Sequence, residues 1–494
     1  MPTRYVRPFT SALVDDDDKR ITELLWGDPV HVTGPEEDGF VRARARGRPR
    51  PPRDGGERPW GWIAAADLQD ASALLEIYVI DVGQGDSVLM RTPDDRWHLI
   101  DGGVAAERQM TKKGAANFLR WKFLDDLERG AVDLETVVLT HGDEDHYGGL
   151  VNVLTGHVPL RAPFPVRVGR FYHNGIANFA AAPKVGAVTP GEVAAFPIAG
   201  QRVRRAGTFV TELLDDAASF RAPPRPLAPR FAPLAALVAQ VPAQVARLSR
   251  DDGFLPGYAP GESDVTIHVL GPVVETLTSG ARGLRDLGTD GETKNGHSVV
   301  LRVDYGDARV LLTGDLNDAS QRLLLSYVPA EEFAADVAKA CHHGAERVEL
   351  AFVAAMQARA TVISSGDNEV HAHPRPLLMG ASARYGRESV SETGERMPPL
   401  LYSTELARSV ALCYASGARL RGTGGAPARR LTVADTELRP DVRGQSYRAL
   451  TELPIASDLV YGLVNVRTDG RHVLCATMEE AGTEFDVKVF RAGV

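Results

Sequence analysis

Cysteine is scarce in this chain. It has three, Cys341, Cys413 and Cys475; no pair has zinc-finger spacing and nothing indicates a disulfide framework. A reducing compartment is expected. Long apolar runs are absent as well. No stretch of about 18 apolar residues exists, so no membrane span is expected. The opening MPTRYVRPFTSALVDDDDKR lacks the apolar stretch of a secretory signal, and a cytoplasmic location is the expectation. Positive charge is not in excess: 56 Lys and Arg face 65 Asp and Glu, a net charge of −9. That balance argues against wrapping nucleic acid over the whole surface, and leaves room for a local basic channel. There are no internal repeats.

What is present suits a large globular protein. The chain has 494 residues, 44% hydrophobic and 24% charged, so more than one domain with ample core is the natural expectation. Residues 1–72 read as a small all-β unit, because ELLWGDPVHVT, GFVRARARGR and GWIAAADL are short alternating segments bounded by Gly, Pro and Asp. Their order resembles a bacterial SH3-like barrel, which implies a surface for a protein partner. The basic stretch after Phe40 includes Arg42, Arg44 and Arg46. They are candidates for nucleic-acid contact, although alternating arginines facing water are the plainer reading and the preferred one.

From Leu75 the pattern changes. LEIYVIDV is a near-continuous apolar run, the mark of a buried strand. SVLMRT and WHLIDGG follow as strands, GAANFLRWKFLDDLERG has helical spacing, and LETVVLT is a strand again. This order predicts layered α/β. Residues 175–262 are rich in Ala, Pro and Arg and read as an insertion, with one helix near Leu234 to Leu248 and loops elsewhere, either a lid or wall over the site or a peripheral elaboration. HSVVLRVDYGDARVLLTGDL and LVYGLVNVRTDGRHVLCATM read as hairpins.

The densest chemistry is THGDEDHYGG, Thr140 to Gly149. His141, Asp143, Asp145 and His146 follow a strand on a tight loop, where α/β folds usually place chemistry. Two imidazoles and two carboxylates so close repel one another unless a cation sits among them. Gly148 and Gly149 are expected to let the backbone turn sharply and pass close by.

VVLTHGDEDHYGGL resembles the metal-binding motif of the metallo-β-lactamase fold, His-x-His-x-Asp-His. The His-x-Asp-x-Asp-His variant seen here resembles the branch of ComEC-type DNA-uptake proteins. VIDVGQGDSVLMRTPDDRWHLIDGG, SVVLRVDYGDARVLLTGD, CHHG and HAHP match that branch in the same order, from about Ile77 to Pro374. The resemblance implies a four-layer αββα domain over residues 73–494. It implies two divalent ions, manganese or zinc with magnesium as a further alternative. His141 and Asp143 would serve one ion, and Asp145 and His146 the second. Asp315 would bridge them, and His373 would be the last ligand. His297, with His173 as rival, is the candidate for the third-motif ligand; a lone histidine is more often a hydrogen-bonded core residue.

Asp145, His342 and His343 are the catalytic candidates, since a histidine between the bridging and last ligands suits leaving-group protonation or a phosphate contact. Asp101 resembles the carboxylate that orients a ligand histidine, and Asp86 is a helper of the same kind or a turn residue. The resemblance implies a two-metal-activated hydroxide attacking phosphorus. The expected function is a metal-dependent phosphodiesterase, a nuclease on DNA. Its alternatives are a small-molecule phosphodiester hydrolase of the same fold and a non-catalytic binding or assembly module. Asp143 puts a hard oxygen where the wider family has an imidazole, which shifts preference from zinc toward manganese or magnesium.

Overall fold

The computed structural model describes residues 2–45, 58–109, 114–198, 200–366, 373–405, 417–420, 429–432, 462–478 and 484–493. Arg46, Cys413 and the first two residues of HAHP, His371 and Ala372, lie outside them. Mixed α/β structure is what it shows, built around two large sheets.

The larger sheet has nine strands. Trp97–Ile100, Val132–Leu139, Val166–His173 and Gln244–Arg247 run parallel to one another; the others pair antiparallel. The smaller sheet has six strands, from Val265–Gly271 at one edge to Leu400–Ser403 at the other. Ile77, Val79, Met90 and Val138 of the first sheet share one apolar cluster with Ile267, Leu301, Val310 and Val362 of the second. On the far side of the larger sheet, Leu119, Leu150 and Leu234 bring helices Ala115–Arg120, Glu144–Thr155 and Ala232–Val238 into a second cluster. Leu324, Phe352 and Leu378 do the same for the helices beyond the smaller sheet. Each sheet is therefore apolar on both faces, which is why its central strands read as continuous hydrophobic runs.

Both predicted hairpins form. Val300–Tyr305 pairs with Ala308–Leu312 around Gly306, and Val464–Thr468 pairs with His472–Met478 around Gly470. Both glycines have positive φ, +56° and +87°, the backbone region such turns demand.

The insertion differs from the expectation. Helix Ala232–Val238 ends well before Leu248, and Gln244–Arg247 is a strand that extends the larger sheet. Pro242 explains the break, since it disfavours helical backbone at the residue before it. The expected loops contain a long hairpin, Val188–Ile198 with Gln201–Val210. Pro190 and Pro197 masked it in the sequence. Prolines are tolerated on edge strands and beside bulges, and a register shift falls between Val193 and Phe196.

The first 69 residues hold a seven-stranded sheet with its own core, including Val6, Leu13, Leu24, Val30 and Ile63. It joins the rest through Leu25 and Trp26 packed on Leu74, Leu474 and Ala476. Buried Arg467 also reaches across to Asp28 Oδ1 at 2.7 Å. Arg42 stacks on Trp62 and Arg44 on Trp60, so both guanidiniums lie against aromatic faces. No helix among the described residues is long and apolar enough to cross a membrane.

Candidate metal centre

The site sits where the carboxyl ends of the two sheets' strands meet. Strand Val132–Leu139 delivers Thr140 and His141, and helix Glu144–Thr155 begins at once, so its first turn carries Asp145 and His146. Gly148 and Gly149 are inside this helix and make no turn, which corrects half of the expectation. Their role is close approach. A Cβ at Gly149 would lie 2.0 Å from the Gly102 carbonyl oxygen, and one at Gly148 would lie 2.7 Å from the Ala105 nitrogen. Gly85 (φ +102°) does the same from the other side, with a hypothetical Cβ 1.7 Å from the Asp145 oxygen. Three glycines thus press the loops carrying Asp86 and Asp101 onto the helix that carries the motif.

Asp101 holds this arrangement. Its Oδ1 accepts from the Thr140 nitrogen at 2.8 Å, and its Oδ2 accepts from Thr140 Oγ1 at 2.6 Å and pairs with His146 Nδ1 at 2.8 Å. The residue adopts φ +57°, a left-handed conformation costly for aspartate, which the three contacts outweigh. With Nδ1 so engaged, His146 presents Nε2 inward. Asp101→Asn keeps the shape and weakens this hold. Metal affinity is expected to fall about 10- to 100-fold, measured by competition with a chelating dye; unchanged affinity would remove Asp101 from this role.

The centre converges on one atom. Asp315 Oδ2 lies 3.0 Å from His343 Nε2, 3.2 Å from His146 Nε2, 3.8 Å from His342 Nε2 and 4.0 Å from His141 Nε2. Asp315 arrives on the turn after strand Ala308–Leu312, its nitrogen bonded to Ser298 Oγ. His342 and His343 lie in the turn Cys341–Gly344, both with positive φ. His343 Nδ1 faces Asp86 Oδ1 at 3.1 Å, and its Nε2 is 3.6 Å from Asp145 Oδ2. Asp86, His146, Asp315 and His343 are all buried, and their ligand atoms fall within 4.8 Å of one another.

The donor chemistry fits a divalent cation. His141 Nε2 and Asp315 Oδ1 are buried with no hydrogen-bond partner, an arrangement that costs free energy unless a cation satisfies them. Burial alone disfavours charge on His146 and His343. The Asp315 carboxylate overrides it, with Asp101 for His146 and Asp86 for His343, and both imidazoles are held well above the usual histidine range. Burial likewise works against the Asp315 carboxylate, but His146 and His343 carry it well below the ordinary range. His141 goes the other way: burial and the neighbouring His146 push it well below. Protons on His146 and His343 thus balance the carboxylates when no cation does, and a cation would displace them.

The remaining expected residues are placed as follows. His373 borders the cluster, its ring centroid 5.9 Å from that of His342 and 6.1 Å from that of His343. His297 is not brought in: its Nε2 bonds the Arg285 carbonyl oxygen at 2.7 Å, and burial lowers it to about 4. The rival His173 is engaged elsewhere too, its Nδ1 accepting from the Gly175 nitrogen at 3.1 Å and its ring on Phe220. It is the plain core histidine that a lone histidine usually is. Asp143 is committed to Lys294, whose ammonium bonds its Oδ1. Arg42 and Arg44 belong to the N-terminal sheet and take no part in the cluster.

Two lysines were missed. Lys339 is buried at the end of strand Val337–Lys339. Its ammonium bonds Asp86 Oδ2 and, at 3.0 Å, the Gly314 carbonyl oxygen, with Asp315 Oδ1 3.7 Å away. A lysine closing an otherwise buried strand directly before CHHG was the available signal. Lys294 gave none, since it lies in a polar helical turn, TKNG.

Comparison with known proteins comes to the same place. Residues 80–216 match the model of the metallo-beta-lactamase superfamily, a span that includes Asp86, Asp101 and the His141–His146 motif. The chain is similar to ComE operon protein 3 of Bacillus subtilis (strain 168), 23% identical over 317 residues. That alignment covers 63% of this chain and 31% of that protein. The chain thus has a metallo-beta-lactamase superfamily match over residues 80–216 and a distant likeness to a ComE operon protein.

Proposed function

We propose that this protein is a metal-dependent phosphodiesterase and that DNA is its substrate. The observation that carries the hydrolase reading is the convergence of four imidazole nitrogens on Asp315 Oδ2, with Asp86 and Asp145 beside them. The ComEC-like resemblance is what points to DNA. His146, Asp315 and His343 would hold the metal, with Asp86 bonding His343 from behind and His141, Asp145 and His373 at its margin. A divalent ion bound there supplies a nucleophile from water at neutral pH and offsets charge on phosphate oxygens. The protein's own groups do the rest. Asp101 fixes His146, the glycine contacts hold the Asp86 and Asp101 loops against the motif helix, and His342 is the imidazole with access to solvent, its side chain 29% exposed. His342 is placed to hold a phosphate oxygen or protonate the leaving one.

The four-layer αββα reading of residues 73–494 is supported by the three apolar clusters. The SH3-like reading of residues 1–72 rests on that unit's separate small core. One observation favours a narrower substrate. Asn178 and Arg230 of the insertion bond Gly142 and Glu144, so the insertion borders the motif loop. A small phosphodiester is therefore the second reading.

The test is elemental analysis of purified protein. Cleavage assays with that metal follow, on single- and double-stranded DNA, on RNA and on bis(p-nitrophenyl) phosphate. Chelator-sensitive cleavage of DNA is expected. Cleavage of the small ester alone would transfer the reading to a small substrate, and no cleavage of any of them would sink both.

A further inference from the structure

We infer that the centre holds one divalent ion, and that the Lys294 ammonium takes the place where the family pattern puts the second. The inference rests on the metal-centre reading above and concerns what that reading leaves open, the number of ions.

The two halves of the site are unlike. On one side three donors face a common point: Asp315 Oδ2, His146 Nε2 and His343 Nε2 are 3.0 to 3.3 Å apart. Around Asp143 the situation is reversed. Lys294 Nζ bonds one carboxylate oxygen. The Asn295 amide, in the orientation that satisfies its surroundings, donates to the other at 2.6 Å and to the Gly291 carbonyl oxygen at 3.0 Å. Both oxygens of Asp143 are therefore occupied by donors of this chain. The nearest imidazole nitrogen to them, His141 Nε2, is 3.8 Å away. Among the described residues neither candidate for a third imidazole completes a second position, because His297 and His173 are each bonded elsewhere.

Charge points the same way. Asp143 adds a negative charge where the wider family has a neutral imidazole, and Lys294 adds the positive charge that offsets it. The Lys294 side chain is 13% exposed and that of Asp143 27%, so solvent screens the pair only in part. A second divalent ion at Asp143 would have to displace this ammonium or sit against it with like charge. The lysine instead leaves a fixed positive group beside the reacting centre, suited to an anionic phosphate oxygen.

The test is stoichiometry rather than turnover. Metal-stripped protein is titrated with Mn2+ by calorimetry, and retained metal is counted by mass spectrometry after desalting. Wild type is expected to bind one Mn2+ per chain. Lys294→Met frees Asp143, and Lys294→His adds the absent imidazole; each is expected to gain a second binding step, tighter in the histidine variant. Far-ultraviolet circular dichroism confirms folding of both. Two ions on wild type would overturn the inference while leaving the metal centre intact. One ion on wild type and on both folded variants would also overturn it, since Lys294 would then exclude nothing. No ion on any form would overturn the metal-centre reading itself.

Discussion

Asp315→Ala is expected to abolish chelator-sensitive phosphodiester cleavage, with kcat/KM falling by about 10^3-fold or more. The same substitution removes tight metal binding. No other carboxylate oxygen lies within 4.0 Å of four imidazole nitrogens among the described residues. Deleting it leaves His146 and His343 facing each other at 3.3 Å without the largest of the charges that favour their protonation, and their pKa values fall, although Asp101 and Asp86 remain beside them. Asp315→Asn separates shape from charge: it keeps the volume and is expected to lose as much activity. Activity within tenfold of wild type in either variant, measured at saturating Mn2+, would remove Asp315 from the centre.

Lys339→Met is expected to lower the unfolding free energy of the metal-free protein by about 3–5 kcal/mol. Lys339 is 3% exposed and its ammonium sits on Asp86, with Asp315 close by. Burial opposes its charge, but Asp86 and Asp315 more than compensate, and its pKa is raised. Removing one partner of such a pair leaves a buried carboxylate uncompensated. Urea unfolding in the presence of chelator measures the loss. Adding Mn2+ is expected to restore part of it, because an ion that binds the folded state stabilises it by mass action. A loss below 1 kcal/mol would show that Asp86 is not held as an anion by Lys339.

Much of the site was legible in order along the chain. The His141–His146 stretch and Asp315 after VLLTGD each follow a strand whose apolar run gives it away, so their place at a strand's carboxyl end could be read directly; CHHG was legible only by its order between Asp315 and His373. Asp86 and Asp101 carried weaker signals, as turn residues in glycine-rich loops, and the structure divides their work. Asp101 orients His146 and holds Thr140, whereas Asp86 orients His343 and holds Lys339. The long hairpin of the insertion was not legible, because its prolines argued for loops while its pairing supplied the strand.

By itself, the sequence determined the layered α/β architecture and the residues adjacent in the chain that share one loop. Strand periodicity and short-range motif spacing are local properties, fixed by backbone geometry. Only the tertiary structure decided which distant groups those residues meet. Lys339 reaches Asp86 across 253 positions, Lys294 reaches Asp143 across 151, and His297 turns away to a carbonyl. Those pairings depend on sheet order and on three glycines that permit backbone contact, and the energy of a buried charge depends on all its neighbours at once. The motif names the chemistry, but the balance of charge around it is set by residues the motif does not contain.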